Sequence, residues 1–258
     1  MYILWLQNPG SFEVLSLNRG DKALMERFLN EHRILDVQEV YKLIKNALDK
    51  REKLSLVRIG DGEALTLAQQ AVLPINEVKR NTFLSYAGVR IPDITGRDML
   101  AASIRKADII GVPLNPAPYF LPLFLKACKA HGIDLNSLKL TNACINYFLC
   151  NSGLLGALLT EGKPRVLVIG NKGKALANLL QGQGINISGI ISPVYGLKDV
   201  NRVVRIAKGQ NFDIALSASG VAAVVICERI ATGQKKVALD IGHVADMLIR
   251  NGQIKKKG

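Results

Sequence analysis

The residues with the plainest chemistry are two carboxylates, Asp61 and Glu63, which are separated by one glycine. They come after an apolar run at 54–57, which is typical of a buried strand that ends at its carboxyl edge, and Arg58 follows that run directly. Side chains two positions apart in an extended or turning segment share a face. Carboxylate oxygens suit Mg²⁺ or Mn²⁺, and either ion can hold the phosphates of a substrate. We therefore predict a divalent-cation site at Asp61 and Glu63, although the segment also suits a β-turn in which Asp61 and Gly62 serve the backbone and Glu63 starts a helix.

Two other segments between a predicted strand and a predicted helix can bind a ligand. Gly170, Asn171 and Lys172 open a turn where backbone N–H groups at a helix N-terminus attract phosphate, with the lysine beside them. The turn matches no Walker or dinucleotide-binding motif, and an ordinary strand-to-helix turn fits it equally well. Ser219 lies in the small-residue segment 217–220, which lets a ligand approach the backbone and also suits tight helix packing.

The last predicted strand ends at Asp240, and the helix that follows starts near His243, with Asp246 three residues further on. A carboxylate and an imidazole at one strand end can bind sugar hydroxyls, reach a metal ion or move a proton. A histidine at the start of a helix also serves as a structural hydrogen-bonding group. We take these three residues as candidates for catalysis and leave the structural alternative open.

These loops must be brought together by a sheet, and the chain alternates short apolar strands with helices, as a parallel sheet requires. The predicted strands lie at 54–57, 108–112, 138–141, 165–170, 185–191, 212–217 and 235–240. Predicted helices follow most of them, at 63–70, 172–180, 199–208, 221–232 and 244–250. The pattern predicts an α/β fold with a Rossmann-like, doubly wound, mainly parallel sheet, helices on both faces and an N-terminal helical cover.

The helical cover is predicted from capping signals near the N-terminus. Asp21 is the expected cap of a first helix, and Asp36 with Glu39 forms a capping box for a second. Asn76 is the expected cap of a short helix further along. We divide the chain into an N-terminal extension of unassigned role at 1–36, a Rossmann-type catalytic domain at 37–251 and a basic tail at 252–258.

The net charge of +13 is the clearest departure in composition, and it indicates an anionic partner. Only 5% of residues are aromatic and no nucleic-acid-binding motif occurs, so we expect no nucleic-acid partner. The lysines at 255–257 can contact an anionic membrane surface, although three charges contribute only about 3 kcal/mol. No apolar stretch approaches ~18 residues and no signal peptide is evident, so we expect a cytoplasmic protein with peripheral membrane contact at most.

Two segments together resemble the bacterial glycosyltransferases of the GT-D fold: Arg-Ile-Gly-Asp-Gly-Glu at 58–63 and Leu-Asp-Ile-Gly-His at 239–243. The resemblance spans residues 37–251. It implies a Rossmann-like fold, a nucleotide-diphosphate sugar donor, with a UDP-sugar favoured, and a glycan or glycoconjugate acceptor. It also implies that Asp61 and Glu63 form the DxE motif of that family, which holds Mn²⁺ or Mg²⁺ against the donor diphosphate.

The resemblance and the residue chemistry together suggest roles for the other candidates. Those expected at the donor phosphates or nucleotide are Arg58, Gly170, Asn171, Lys172 and Ser219. If the reaction inverts the anomeric carbon, the candidates for the acceptor base are Asp240, His243 and Asp246. The sequence leaves an inverting or a retaining outcome open.

Three other functions are compatible with the sequence. A non-catalytic module that binds nucleotides or nucleotide sugars keeps the sheet and the phosphate loops without turnover. A metal-dependent phosphohydrolase uses the same acidic loop with water as the nucleophile, although such sites usually have more carboxylate or histidine ligands than this sequence clusters. A protein that binds an anionic surface explains the charge alone.

Overall fold

The computed structural model describes residues 19–114 and 120–255, in which an eight-stranded parallel sheet is flanked by twelve helices. The strands are β1 Ile34–Leu35, β2 Leu54–Arg58, β3 Ile109–Val112, β4 Lys139–Asn142, β5 Val166–Gly170, β6 Ile187–Ile191, β7 Ile214–Ala218 and β8 Val237–Asp240. The helices are α1 Arg19–Glu31, α2 Val37–Lys50, α3 Asp61–Ala68, α4 Ile75–Lys79, α5 Ile94–Ile104, α6 Leu121–Ala130, α7 Ile145–Asn151, α8 Leu154–Thr160, α9 Gly173–Gly182, α10 Val200–Lys208, α11 Ala222–Gln234 and α12 Val244–Asn251. The predicted α/β, Rossmann-like fold is confirmed.

The strand order β1-β4-β3-β2-β8-β7-β5-β6 places the two motif-bearing strands side by side. The chain builds outward from β2 through β3 to β4, starts again at β5, and returns to the centre at β8. There, Leu54 of β2 lies opposite Val237 of β8, and Leu56 lies opposite Leu239. Because parallel strands share one carboxyl edge, the segments after β2 and β8 meet at the edge where such sheets bind ligands.

The sheet is covered by helices on both faces. Val57 and Ile59 belong to the core that includes α5 and α11, while Leu54 and Leu56 belong to the core that includes α2 and α8. Neighbouring side chains of a strand point to opposite faces, so a central strand such as β2 buries apolar groups on both sides. This double burial is why the strands are recognisable in the sequence as continuous apolar runs.

The predicted capping box is confirmed, because Asp36 Oδ1 accepts from the Glu39 amide at 2.8 Å and Glu39 Oε2 accepts from the Asp36 amide at 3.0 Å. Two other predicted starts are wrong. Helix α1 already begins at Arg19, which places Asp21 within its first turn. Helix α4 begins at Ile75, because the fixed backbone of Pro74 supplies its start, and Asn76 lies inside it. None of the described helices has the length and apolarity that a membrane crossing requires.

The described part of the N-terminal extension is built into the fold. Phe28 of α1 is buried in the core on the α11 side of the sheet. After two intervening residues, strand β1 pairs in parallel with β4, with Ile34 opposite Leu140. Since α2 packs on the opposite face, the helical cover reaches both sides of the sheet.

The irregular segment between α4 and α5 forms one wall above the carboxyl edge of the sheet. The Ala87 carbonyl accepts a hydrogen bond from the Val221 amide at 3.1 Å, and the Gly88 carbonyl accepts one from the Leu197 amide at 3.4 Å. Gly196 has a φ of +79°, and a Cβ added there would lie 1.9 Å from the Gly88 carbonyl oxygen. The position of the wall therefore depends on direct contact between the backbones of Gly88 and Gly196, which no side chain separates.

Gly196→Ala is expected to lower the free energy of unfolding by about 2–4 kcal/mol, because the methyl group forces this contact apart and strains a left-handed residue. Gly184→Ala is the matched control, since Gly184 has a φ of +82° but nothing lies within 4 Å of an added Cβ. This control variant should lose only about 1 kcal/mol of unfolding free energy. Urea unfolding followed by circular dichroism measures both, and equal losses would contradict the role of the Gly88–Gly196 contact.

Candidate active site

A cleft of about 420 Å³ opens at the carboxyl ends of β2, β5, β7 and β8. Helices α3 and α12 begin in it, and the wall between α4 and α5 closes one side. Nine of the ten predicted site residues line it: Arg58, Asp61, Glu63, Asn171, Lys172, Ser219, Asp240, His243 and Asp246. The parallel topology thus gathers nearly all of the candidates from both halves of the chain into one site.

An ion pair between Arg58 and Asp240 forms the base of the cleft. Nη2 of Arg58 donates to Oδ1 of Asp240 at 2.9 Å, and Nε donates to the Asp240 carbonyl oxygen at 3.0 Å. Nη1 donates to the Ala143 carbonyl oxygen at 3.3 Å. The two side chains are only 16% and 3% exposed. Burial by itself lowers the pKa of Arg58, but the charge and hydrogen bond of Asp240 outweigh it and leave this pKa raised.

Two glycines make the space that the arginine side chain occupies. A Cβ added to Gly242 would lie 2.0 Å from Nη2 of Arg58, and one added to Gly111 would lie 3.2 Å from its Cγ. Gly242 also has a φ of +44°, in the left-handed region that favours glycine. The glycine of the 239–243 segment is therefore explained by close packing against the arginine of the 58–63 segment.

Asp61 and Glu63 lie in the first turn of α3. Oε2 of Glu63 accepts a hydrogen bond from the Gly60 amide at 2.8 Å, and Oδ1 of Asp61 accepts one from the Gly62 amide at 2.8 Å. These bonds use one oxygen of each carboxylate. The pKa of Glu63 is raised to about 7, first by burial and then by the negative charges of Asp240 and Asp61. Negative charge at this point of the cleft is therefore incompletely balanced.

A count of the charged residues that line the cleft shows the same imbalance. The four acidic ones are Asp61, Glu63, Asp240 and Asp246, and the two basic ones are Arg58 and Lys172. Each basic side chain forms an ion pair with one acid, the first with Asp240 and the second with Asp246. Asp61 and Glu63 have no ion-pair partner among the described residues.

This surplus of two carboxylates fits a divalent cation. Within residues 19–114 and 120–255, no group of three or more His, Cys, Asp or Glu side chains is placed to hold a metal ion by itself. Mg²⁺ is commonly bound by one or two carboxylates together with substrate phosphates and water. The residues present therefore fit an ion that is shared with a phosphorylated substrate.

A second ion pair, between Lys172 and Asp246, joins the turn after β5 to α12. The hydrogen bond to Asp246 and the charge of that carboxylate raise the pKa of Lys172. His243 lies at the start of α12, where burial lowers its pKa against the opposing charge of Asp246. The imidazole is therefore neutral at pH 7, with one ring nitrogen able to accept a proton.

Three predicted phosphate-binding residues have structural partners. Asn171 Oδ1 accepts a hydrogen bond from the Val194 amide at 2.7 Å, which ties the turn after β5 to the loop after β6. Gly170 lies outside the cleft lining, and its φ of +146° and a close approach to a β7 carbonyl explain the glycine. Ser219 Oγ lies 3.0 Å from Ser217 Oγ. Their part in ligand binding stays a prediction.

Three aromatic residues that the sequence did not single out also line the cleft: Phe83, Tyr86 and Phe120. The first two lie in the wall between α4 and α5, and the third precedes α6. These segments carry no motif, and Phe83 lies in a 3₁₀ helix, Thr82–Leu84, that is too short for a spacing signal. Their rings can stack on the flat faces of a base or a sugar.

Asp240→Asn is expected to lower the free energy of unfolding by about 3–5 kcal/mol, because Arg58 then keeps a buried charge without a counter-ion. Glu31→Gln makes the same carboxylate-to-amide change in the exposed pair with Arg27 and should cause little change. Urea denaturation at neutral pH compares the two variants. Similar losses in both would show that burial of the Arg58–Asp240 pair has no special weight.

A pH dependence of stability is expected from Glu63. Because its pKa is raised from 4.5 to about 7 in the folded protein, the folded state favours the protonated form. This contribution is full below about pH 4.5 and is lost as the pH rises through about 7. Glu63→Gln keeps an oxygen for the Gly60 amide but cannot titrate.

The difference in unfolding free energy between wild type and Glu63→Gln should therefore change from pH 5 to pH 8, with wild type losing stability relative to the variant. Urea unfolding at several pH values measures it. A difference that stays constant over this range would show that the carboxyl titrates near its ordinary pKa.

Comparisons with known proteins agree with this architecture. The sequence model of the GT-D fold-like domain family matches residues 35–248. A solved structure is similar with a TM-score of 0.57 and 18% identity, over 90% of this chain and 86% of that one, and is described as a highly conserved domain of unknown function 1792 with a distinct glycosyltransferase fold. No curated protein matches the chain. Because the family match covers most of its length, the chain belongs to the GT-D-like family.

Proposed function

We propose that the protein is a metal-dependent glycosyltransferase that moves a sugar from a nucleotide-diphosphate donor to a glycan or glycoconjugate acceptor. Its family and fold support a glycosyltransferase function in general. The observation that carries the finer proposal is that Asp61 and Glu63, beside the buried Arg58–Asp240 ion pair, form no ion pair of their own within the described residues. The family resemblance favours a UDP-sugar as the donor.

At the donor end, Asp61 and Glu63 would hold Mn²⁺ or Mg²⁺ together with the diphosphate of the donor. When bound, such an ion stabilises the charge that develops on the departing nucleoside diphosphate. Arg58 is fixed by hydrogen bonds to two residues, so it supplies a positive potential without moving. Lys172 has a side chain 61% exposed, and its ammonium group has three donors, so it can contact a phosphate oxygen while it stays paired with Asp246.

At the acceptor end, an inverting reaction needs a base for the attacking hydroxyl. Asp240 is engaged by Arg58, and Asp246 by Lys172. His243 is neutral at pH 7 because burial lowers its pKa, so we assign the proton transfer to this residue. Asp240 is then a positioning residue for Arg58. A retaining reaction needs no base at this place.

Calorimetric titration with UDP, GDP and their sugars, with and without Mn²⁺, tests the donor site. Wild type should bind one of them more tightly with Mn²⁺, and Asp61→Asn/Glu63→Gln should lose that gain. The gain should grow as the pH rises through about 7, where Glu63 loses its proton. The control Glu77→Gln/Asp98→Asn removes two exposed carboxylates outside the cleft and should behave as wild type.

Binding that ignores both Mn²⁺ and the double substitution would contradict the cation site and favour a nucleotide-binding module. Donor hydrolysis at full rate, with no transfer to any of a panel of glycans, would favour a hydrolase. Slow hydrolysis beside transfer agrees with the proposal, because water can replace the acceptor in a transferase.

His243→Gln is expected to lower kcat by about 10²–10⁴-fold with little change in donor affinity, because it removes the proton acceptor and leaves the phosphate site intact. Turnover and calorimetry on the same preparation separate the two effects. A loss of donor affinity as large as the loss of kcat would assign His243 to donor binding instead.

A further inference from the structure

A basic stripe runs along the outer face of α10, starting in the 3₁₀ turn Leu197–Asp199 that precedes it. Lys198, Asn201, Arg205 and Lys208 are all exposed and follow each other at three- and four-residue spacing, so they share one face of the helix. The opposite face is packed into the core. We call these four residues the α10 stripe.

The cations of the α10 stripe form no close ion pair with a described carboxylate, and Lys198 only adds, after Arg202, to the lowering of the pKa of Asp199. Lys198, Arg205 and Lys208 form no ion pair among the described residues, whereas on α2 Lys45 pairs with Asp49 at 3.0 Å. Unpaired like charges on one helix face repel one another. Such a face is stabilised when an anionic surface lies against it. An anionic surface is therefore the charge-complementary partner of the α10 stripe.

The α10 stripe is fixed to the mouth of the cleft by Arg202. This arginine pairs with Asp199 at 2.6 Å and donates to the Pro193 carbonyl oxygen at 2.6 Å. Pro193 starts the loop after β6, in which Val194 and Gly196 line the cleft. The α10 stripe and the cleft mouth are therefore joined by one continuous segment of chain, held together by Arg202.

Two exposed tyrosines flank the same mouth. Tyr195 is 61% exposed between two cleft-lining residues, and Tyr86 is 77% exposed in the opposing wall. They are the most exposed large apolar or aromatic side chains in the described part of the chain. Their segments meet at the contact of Gly88 with Gly196. Tyrosine prefers the membrane–water interface, where its ring contacts lipid and its hydroxyl stays in water.

We propose that the α10 stripe, together with Tyr86 and Tyr195, docks the protein on an anionic lipid bilayer. Docking places the cleft mouth beside the bilayer, where an acceptor carried on a lipid enters the site; this second step rests on the proposed function, and the docking itself does not. Each unpaired lysine or arginine at such a surface strengthens partitioning by about fivefold. The bilayer is favoured over a soluble polyanion because exposed tyrosines accompany the cations.

Co-sedimentation of the full chain with vesicles tests the docking. Binding is expected to vesicles of phosphatidylcholine mixed with phosphatidylglycerol, to weaken with added salt, and to be absent with phosphatidylcholine alone. Arg205→Gln/Lys208→Gln should weaken it by about 25-fold. The control Lys42→Gln/Lys50→Gln removes the same charge from exposed positions of α2 on the opposite face of the sheet and should bind as wild type.

Tyr195→Ser should weaken the vesicle binding that remains at high salt, where charge attraction is screened. Equal losses of vesicle binding in Arg205→Gln/Lys208→Gln and in Lys42→Gln/Lys50→Gln would overturn the proposal, because net charge alone would then explain binding. No binding to anionic vesicles would also overturn it, as would tighter binding to a single-stranded oligonucleotide than to vesicles. The assay contains no nucleotide sugar, so a failure of the transferase proposal leaves its result unchanged.

Discussion

The buried ion pair between Arg58 and Asp240 is the interaction on which the site depends. The guanidinium group reaches three oxygens in fixed directions, two on Asp240 and one on Ala143. These acceptors belong to the ends of β8 and β4, while the arginine belongs to β2. A lysine ammonium is a compact charge on a flexible chain and cannot span the same three positions with a rigid fork. The arginine thus fixes three strand ends relative to one another, directly under the cleft.

The same ion pair also affects the pKa of the neighbouring Glu63 carboxyl group. A buried pair is a weak source of net stability, since apolar residues of similar volume often stabilise a fold as well or better. Its position at the base of a cleft, not in the centre of either core, indicates a positioning function. The pKa of Glu63 is raised first by burial and then by the negative charge of Asp240, with a smaller contribution from Asp61. The fold therefore creates the negative site that a cation can neutralise.

Much of this architecture follows from the sequence because the signals are local. Strands covered on both faces appear as apolar runs, and the capping box of Asp36 and Glu39 marks one helix start. Motifs at strand ends must share one edge of a parallel sheet, which is why nine of the ten candidate residues meet in the cleft. The strand order is not a local property, and neither is the neighbourhood of β2 and β8.

Other parts left no pattern in the sequence. The wall is positioned by the backbones of Gly88 and Gly196, so no side-chain periodicity reports the contact. Two of the cleft-lining rings, those of Phe83 and Tyr86, lie in that wall. Strand β1 has only two residues, too few for an alternating pattern. Gly170 appears in the sequence as a phosphate-loop glycine, yet its conformation is required by the adjacent strand β7.

The cleft differs in charge from the protein as a whole, so the cleft and the basic exterior have separate functions. The protein carries a net charge of +13, while the cleft has four carboxyl groups against two cations, a surplus of two acidic groups. The positive charge therefore lies outside the cleft, and screening confines its effect to about 8 Å at physiological ionic strength. It cannot by itself hold a diphosphate against Asp61 and Glu63. On the proposed function, a cation reverses the local sign for a donor phosphate, and the basic exterior is left for the anionic surface proposed to lie against the α10 stripe.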